Sequence, residues 1–293
     1  MSGQIRSRRG GDKLTGERPL QGVTPDSLLA LHDAGYRAVL ERLGAGLVLD
    51  VGCGEGFESV RLAGADREVV GVDYSPAAVA AAGTRWRGKG LHVLAADATR
   101  LACATGVFDW ACSSHIVEHF AEPDGHLGEM ARALAPHGTA FILTPNAPAD
   151  FENPFHIRLF GPDDLRAALE RHFARVWVGG LDATASVKAD FAARRARGTR
   201  MLRFDVFDLR HRLPRSWYIA AYTRLLPLAY RLLARDDSGG TTGITADDFF
   251  VTDVVDDTTL VLFAVASEPR RAAPATGEAV VAEVPASSAA RRS

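Results

Sequence analysis

The chain lacks most of the features that would send a protein out of the cell or into a membrane. Its 293 residues contain three cysteines, Cys53, Cys103 and Cys112, and no Cys-x-x-Cys pair. An odd count in a chain this long argues against a disulfide framework and suggests a reducing, cytoplasmic setting. No run of about eighteen uncharged apolar residues occurs, so no membrane-spanning helix is expected. Met1 to Arg18 is polar and basic without an apolar stretch, which does not read as a secretory signal. An excess of one charge is missing too: 34 basic against 36 acidic residues give a formal net charge of -2. Such a balance exerts no global pull toward nucleic acid or anionic membranes. No RNA-binding module, aromatic–basic stripe or internal repeat is visible.

What is present is apolar residue in quantity, 47% of the chain, enough for a sizeable core. Residues 1–20 and 268–293 are polar or rich in Ala, Pro, Ser and Arg and read as disordered tails. Residues 21–267 read as one enlarged domain. Apolar spacing from Pro25 to Leu43 predicts a helix, with Thr24 as N-cap and Pro25 at the first helical position. Leu47 to Val51 is a short apolar run interrupted only by Asp50, which suits a strand buried on both faces.

The pattern then repeats. Helices are predicted over Glu58 to Ala63, Pro76 to Trp86, near His115 to Phe120, Asp124 to Leu134 and Asp163 to His172. Strands are predicted over Glu68 to Asp73, Leu91 to Ala95, Val107 to Cys112, Thr139 to Thr144 and Arg175 to Gly179. Alternation of this kind implies a doubly wound, mostly parallel α/β sheet. A helical insertion at about 182–240 precedes a closing hairpin of Asp248 to Val255 and Thr258 to Ala266; with Leu47 to Val51 these strand runs number eight, one more than the seven-stranded sheet we expect.

Asp50-Val-Gly52-Cys-Gly54-Glu-Gly56 follows the first strand and opens a helix. Glycines there permit positive φ and a close approach of backbone to ligand, and the helix start presents N–H groups to an anion. A dinucleotide and S-adenosylmethionine both fit that description. The dinucleotide fingerprint needs a third glycine at position 57, where the chain has Phe57. Asp50 would repel a pyrophosphate but suits a ligand carrying an ammonium and a sulfonium. Both features select S-adenosylmethionine. Asp73 ends the second strand, where a carboxylate can accept from ribose hydroxyls or cap the next helix. Asp97, after the third strand, can accept from an adenine amino group or cap a turn.

Residues 47–145 resemble the class I S-adenosylmethionine-dependent methyltransferases. The match runs through the glycine loop, Asp73, Asp97, the segment from Phe108 to His119, and Arg132-Ala-Leu-Ala-Pro-His-Gly138. His137 stands where that family has the first glycine of its R-x-L-x-P-G-G segment. The resemblance implies a Rossmann-like methyltransferase fold with S-adenosyl-L-methionine as cofactor. It assigns the methionine part to Asp50, Gly52, Cys53, Gly54 and Gly56, and the ribose to Asp73 beside Tyr74. Adenine falls to Asp97 and the Ala98 backbone, and Ser113 lies beside the cofactor. Thr15-Gly-Glu-Arg18 resembles a short stretch of some bacterial methyltransferases of glycan pathways.

A sulfonium is already an activated methyl donor, so the enzyme must align a nucleophile with it and exclude water. A hydroxyl acceptor benefits from a general base near neutral pKa. His115, just past the fourth strand, and His156, in an irregular loop after the fifth, are the candidates. His115-Ile-Val-Glu118-His119 also fits the H-x-x-E-H pattern of a zinc peptidase. The position directly after a buried strand argues against that use, the resemblance to the methyltransferase family implies a structural helix start for His119, and no metal is expected. The expected activity is O-methylation of a small-molecule or saccharide acceptor, without nucleic acid or stable membrane insertion. N-methylation of a small amine, a catalytically silent cofactor-binding protein and an NAD-dependent dehydrogenase remain alternatives. The insertion reads as a lid or as a subunit contact, the latter giving a homodimer. Its stretch from Trp217 to Leu233 suits core packing or a membrane-surface helix. Arg194, Arg195, Arg197 and Arg200 could meet an anionic acceptor or form a solvated helix face.

Overall fold

The computed structural model describes residues 24–150, 156–202 and 243–271. Eight strands form one sheet: β1 (Gly46–Val51), β2 (Arg67–Asp73), β3 (Leu91–Ala95), β4 (Phe108–Ser114), β5 (Leu134–Pro145), β6 (Phe173–Ala183), β7 (Phe249–Thr252) and β8 (Val261–Pro269). Their order is β3-β2-β1-β4-β5-β8-β6-β7, with β3 through β5 mutually parallel. Helices α1 (Asp26–Leu40), α2 (Ser59–Leu62), α3 (Pro76–Arg85), α4 (Asp124–Ala133), α5 (Pro162–Glu170) and α6 (Ala185–Leu202) connect them.

The doubly wound α/β architecture is the one expected, but the sheet has eight strands rather than seven. The last two do not form a hairpin. β8 lies between β5 and β6, and β7 pairs with the far edge of β6. Both are antiparallel to β6, so β6 separates them. The short link from Thr252 to Val261 therefore crosses β6 instead of turning between neighbours. Sequence adjacency favours a hairpin, but β6 offers β8 a register from Phe173 to Leu181, far longer than a pairing with β7's four residues allows.

The apolar run of β1 is explained by burial on both faces. Leu49 and Val51 face one core with Leu127 and Met130 of α4 and Leu165 and Leu169 of α5. Val48 faces the other, with Leu31, Tyr36 and Val39 of α1. β5 alternates likewise, Ala140 and Ile142 to the first core and Phe141 and Leu143 to the second. Each such Leu, Ile, Val, Met or Phe side chain, fully buried, contributes on the order of 2 kcal/mol.

Three local expectations are revised. α1 starts at Asp26 with Pro25, not Thr24, in the N-cap position, and no side chain caps it. β5 starts at Leu134 rather than Thr139, so Pro136 and Gly138 lie within a strand. The segment after β4 is a single 3-10 turn, Val117–His119, instead of a helix. The predicted insertion is helical over Ala185–Leu202. Residues 203–242, with the Trp217 to Leu233 stretch, residues 1–20 and residues 272–293 lie outside the described residues. The C-terminal tail expected from residue 268 starts later, because β8 runs through Glu268 to Pro269 and Arg270 N donates to His172 O at 2.7 Å. No helix among the described residues is long and apolar enough to cross a membrane.

Candidate functional site

In open α/β sheets ligands bind outside the carboxyl ends of the strands, where the strand order reverses. Here that point falls between β1 and β4. The glycine loop leaves β1 there, and the His115 loop leaves β4.

The loop needs its glycines for two reasons. Gly52, Gly54 and Gly56 have φ of 87°, 53° and 75°, a region costly for other residues. Gly52 also has no room for a side chain, since a Cβ would sit 2.2 Å from Cδ1 of Ile116. At Gly56 a Cβ would meet Cδ2 of Leu91 at 2.8 Å. Trp86 donates from Nε1 to Glu55 O at 2.8 Å, and its ring packs edge-on against Phe57. The Phe at 57 therefore anchors the loop to α3. Cys53 is buried, with its thiol 3.7 Å from Gly54 O.

Asp50 is fully buried under this loop. Tyr36 donates to its carboxylate at 3.2 Å, and the Ser59 hydroxyl donates to Oδ2. Burial raises its pKa to about 6, partly countered by the hydrogen bonds from Ser59, Tyr36 and Cys112. No ion pair among the described residues involves Asp50, so it is a buried anion held only by neutral donors. That environment fits a cationic ligand overhead and disfavours a pyrophosphate. Asp73 ties the two neighbouring loops together, accepting from Gly54 N at 2.9 Å and from Ser75 N at 2.8 Å. Ser75, not Asp73, caps α3 through Ala78 N. Tyr74 follows with 66% of its surface exposed at the cleft edge.

After β3, Asp97 is exposed and accepts from Thr99 N and Thr99 Oγ1, both at 2.8 Å. Those bonds, the backbone one foremost, hold its carboxyl below the usual range. Ala98 and Ser113 are joined through a residue that sequence reasoning missed, His126 of α4. His126 Nδ1 lies 3.4 Å from the Ala98 carbonyl, and Nε2 lies 2.9 Å from Ser113 Oγ. A carbonyl can only accept, so Nδ1 carries the proton and Ser113 donates to Nε2. Burial lowers the His126 pKa to about 4 and keeps the ring neutral. Its position on the buried face of an amphipathic helix was the available signal.

The second cluster lies across the switch point. His115 has φ of 57°, and its amide donates to Leu143 O at 2.8 Å. This turn brings His115 Nδ1 to 3.5 Å from Glu118 Oε1 without a helix face. Glu118 is fully buried; Oε2 accepts from Thr144 Oγ1 at 3.0 Å, while Oε1 has no hydrogen bond of normal geometry. Burial alone would raise its pKa, but the nearby histidines His115, His119 and His156 bring it below the usual value.

His156 reaches the same oxygen from the other side, with Nε2 4.0 Å from Glu118 Oε1. The backbone fixes it there, since Ile157 N and Arg158 N both donate to Glu118 O, at 2.8 and 3.1 Å. Asp150 accepts from His156 Nδ1 at 3.0 Å. Burial depresses the His156 pKa, but the Asp150 hydrogen bond and the charges of Asp150 and Glu118 outweigh it and leave the value raised. His119 packs edge-on against His156 at 5.4 Å between ring centroids. His115 packs against His32 of α1, the ring centroids 4.5 Å apart and the planes tilted by 52°. The two candidate bases thus converge on Glu118. Asp150 and Thr144, which complete the cluster, carried no sequence signal beyond their place in loops near strand ends.

Residues 49–142 match the family described as "Methyltransferase domain". A probable S-adenosylmethionine-dependent methyltransferase of Mycolicibacterium smegmatis is 29% identical over 164 residues, covering 54% of this chain and 63% of that protein. A ubiquinone biosynthesis O-methyltransferase of Sinorhizobium fredii is 33% identical over 141 residues, covering 44% of this chain and 55% of that one. The chain thus spans less than two thirds of the length of these relatives. Among solved structures, the [4+2]-cyclase SpnF aligns with a TM-score of 0.52 at 20% identity, covering 81% of both chains. A methyltransferase from Thermotoga maritima aligns with a TM-score of 0.52 at 14% identity, covering 83% of this chain and 91% of that one. These two likenesses show the fold alone.

The fold and the glycine loop define a Rossmann-like α/β cofactor-binding protein. More narrowly, residues 49–142 form a methyltransferase domain of the class I S-adenosylmethionine-dependent kind.

Proposed function

We propose that this chain transfers a methyl group from S-adenosylmethionine to a hydroxyl of a small-molecule or saccharide acceptor. The observation that carries the reading is adjacency. Ile116, next to His115, packs directly on Gly52, so the donor loop and the histidine–glutamate cluster share one wall. The O-methyltransferase name of one relative supports the choice of a hydroxyl.

S-adenosylmethionine supplies the methyl group already activated as a sulfonium. The residues proposed to hold it are the backbone of Gly52, Cys53, Gly54 and Gly56 with Asp50 beneath. Asp73 and Tyr74 would serve the ribose, Asp97 and Ala98 the adenine, and Ser113 the nearby wall. In the reaction the acceptor oxygen forms a bond to the methyl carbon as the carbon–sulfur bond breaks. The hydroxyl proton has to leave, and we assign its acceptance to His115 and His156. Effective alignment of this kind outweighs any single proton transfer in rate.

The test is methyl transfer from radiolabelled S-adenosylmethionine to a panel of hydroxyl and amine acceptors. The proposal expects labelled ether products, and turnover reduced roughly 100-fold or more when His115 and His156 are each changed to Ala. Near-wild-type turnover by both variants at saturating acceptor contradicts the base assignment. Labelled amines with no labelled ethers contradict the hydroxyl.

A further inference from the structure

The cluster around Glu118 has the donor set of a metal centre. A ligand atom from each of Glu118, His119 and His156 lies within 4.8 Å of the others. Glu118 Oε1 is buried, aims into this space and has no hydrogen bond of normal geometry. Its nearest imidazole nitrogens, His115 Nδ1 at 3.5 Å and His156 Nε2 at 4.0 Å, stand at or beyond the limit of a hydrogen bond, so this buried oxygen is incompletely paired. The histidine side is prepared as well. Asp150 accepts from His156 Nδ1 and leaves Nε2 facing Glu118. A carboxylate holding the far nitrogen of a histidine is the usual support for a metal-ligating imidazole. Thr144 fixes the other oxygen of Glu118 in the same way.

We propose that Glu118 Oε1, His119 and His156 Nε2 bind one divalent first-row transition-metal ion, with zinc, cobalt and manganese as the fitting chemistries. One oxygen and two imidazole nitrogens suit these ions better than magnesium or calcium, which take oxygen ligands. The ligand atoms need to close to typical metal distances of about 2.0–2.2 Å, a small contraction of the present cluster. Three protein ligands leave coordination positions open, as in catalytic rather than structural sites. An acceptor hydroxyl bound there would lose its proton near neutral pH, to His115 alone, because a metal on Nε2 and Asp150 on Nδ1 leave His156 no free nitrogen. That catalytic role rests on the methyl-transfer reading; the existence of the site does not. The H-x-x-E-H pattern is thus used differently from a zinc peptidase, because the third ligand comes from the distant residue 156 and not from His115. This proposal departs from the expectation of no metal, and cobalt titration decides between them.

The experiment is cobalt(II) titration of the full-length protein after dialysis against a chelator, followed by visible absorption and calorimetry. The proposal expects one equivalent bound at micromolar or tighter affinity, with d–d bands of a low-coordinate site. Glu118→Gln and His156→Ala should each weaken binding at least roughly 30-fold, and Asp150→Asn about tenfold, the scale of a lost supporting partner. Circular dichroism confirms folding of each variant, and Asp150→Asn keeps the test decisive if a buried change does not fold. Calorimetry with S-adenosylmethionine is run in parallel and should change less than about threefold in these variants. No stoichiometric binding, or binding unchanged in all three variants, overturns the metal site. Loss of S-adenosylmethionine binding by wild type overturns the methyl-transfer reading and leaves the cobalt result to stand by itself.

Discussion

The carboxyl ends of β1, β2 and β3 differ in kind from those of β4 and β5. The first region is built from backbone: positive-φ glycines, a loop anchored by Trp86, and Asp73 bridging two turns. The second is built from side chains: Glu118 with His115, His119 and His156 around it. A backbone cradle accepts one ligand and tolerates little change. A cluster of titratable side chains can alter its chemistry by substitution while the fold stays the same. On the proposed assignment, the comparison makes donor binding and acceptor chemistry separable, joined mainly where Ile116 meets Gly52.

The largest effect expected from breaking the comparison is at Glu118. Glu118→Gln should lower turnover about 100-fold or more while S-adenosylmethionine affinity moves less than about threefold, as kinetics and calorimetry would read. Asp73→Ala should do the reverse, weakening S-adenosylmethionine about 30-fold, or about 2 kcal/mol, the scale of hydrogen bonds to a charged group. A loss of affinity in the first variant, or none in the second, would mean the regions are not separate.

Gly52→Ala sits on the seam. Its φ of 87° and the closeness of Ile116 predict a loss of about 1–3 kcal/mol in denaturant unfolding. It should impair donor affinity and turnover together, unlike either single-region variant.

Two buried groups sharpen the comparison through pH. Asp50 has a pKa of about 6 when folded against an ordinary value of 3.8, so its stabilising contribution is full below 3.8 and is lost as pH rises through 6. His126 has a pKa of about 4 against 6.5, so its contribution is full above 6.5 and is lost as pH falls through 4. Each displacement is worth about 3 kcal/mol, and the two oppose each other across the same window. Wild type should therefore show a shallow net slope from this pair between pH 4 and 6. Asp50→Asn should make unfolding free energy fall as pH drops there, and His126→Gln should make it rise. Equal slopes in all three proteins would remove both buried groups from the account.

The donor region was legible in sequence because its requirements are local. Glycine at 52, 54 and 56, an acid at strand ends and an apolar strand before the loop are all short-range constraints. Even so, Phe57 and Gly56 proved to matter for packing against Trp86 and Leu91, a long-range fact. The acceptor region was legible only as separate residues. His115 and His156 could be named, but their meeting point depends on Ile157 and Arg158 docking on the Glu118 carbonyl. The placement of β8 between β5 and β6 was hidden for the same reason: strand register with β6, not adjacency in sequence, decides it.

The central claim is that the loop from Asp50 to Gly56 binds S-adenosylmethionine and not a dinucleotide. Calorimetric titration of wild type with S-adenosylmethionine and with NAD tests it most directly. We expect one equivalent of S-adenosylmethionine bound with micromolar affinity, no binding of NAD, and clear weakening in Asp73→Ala. NAD binding at comparable affinity, or no binding of S-adenosylmethionine, would contradict it.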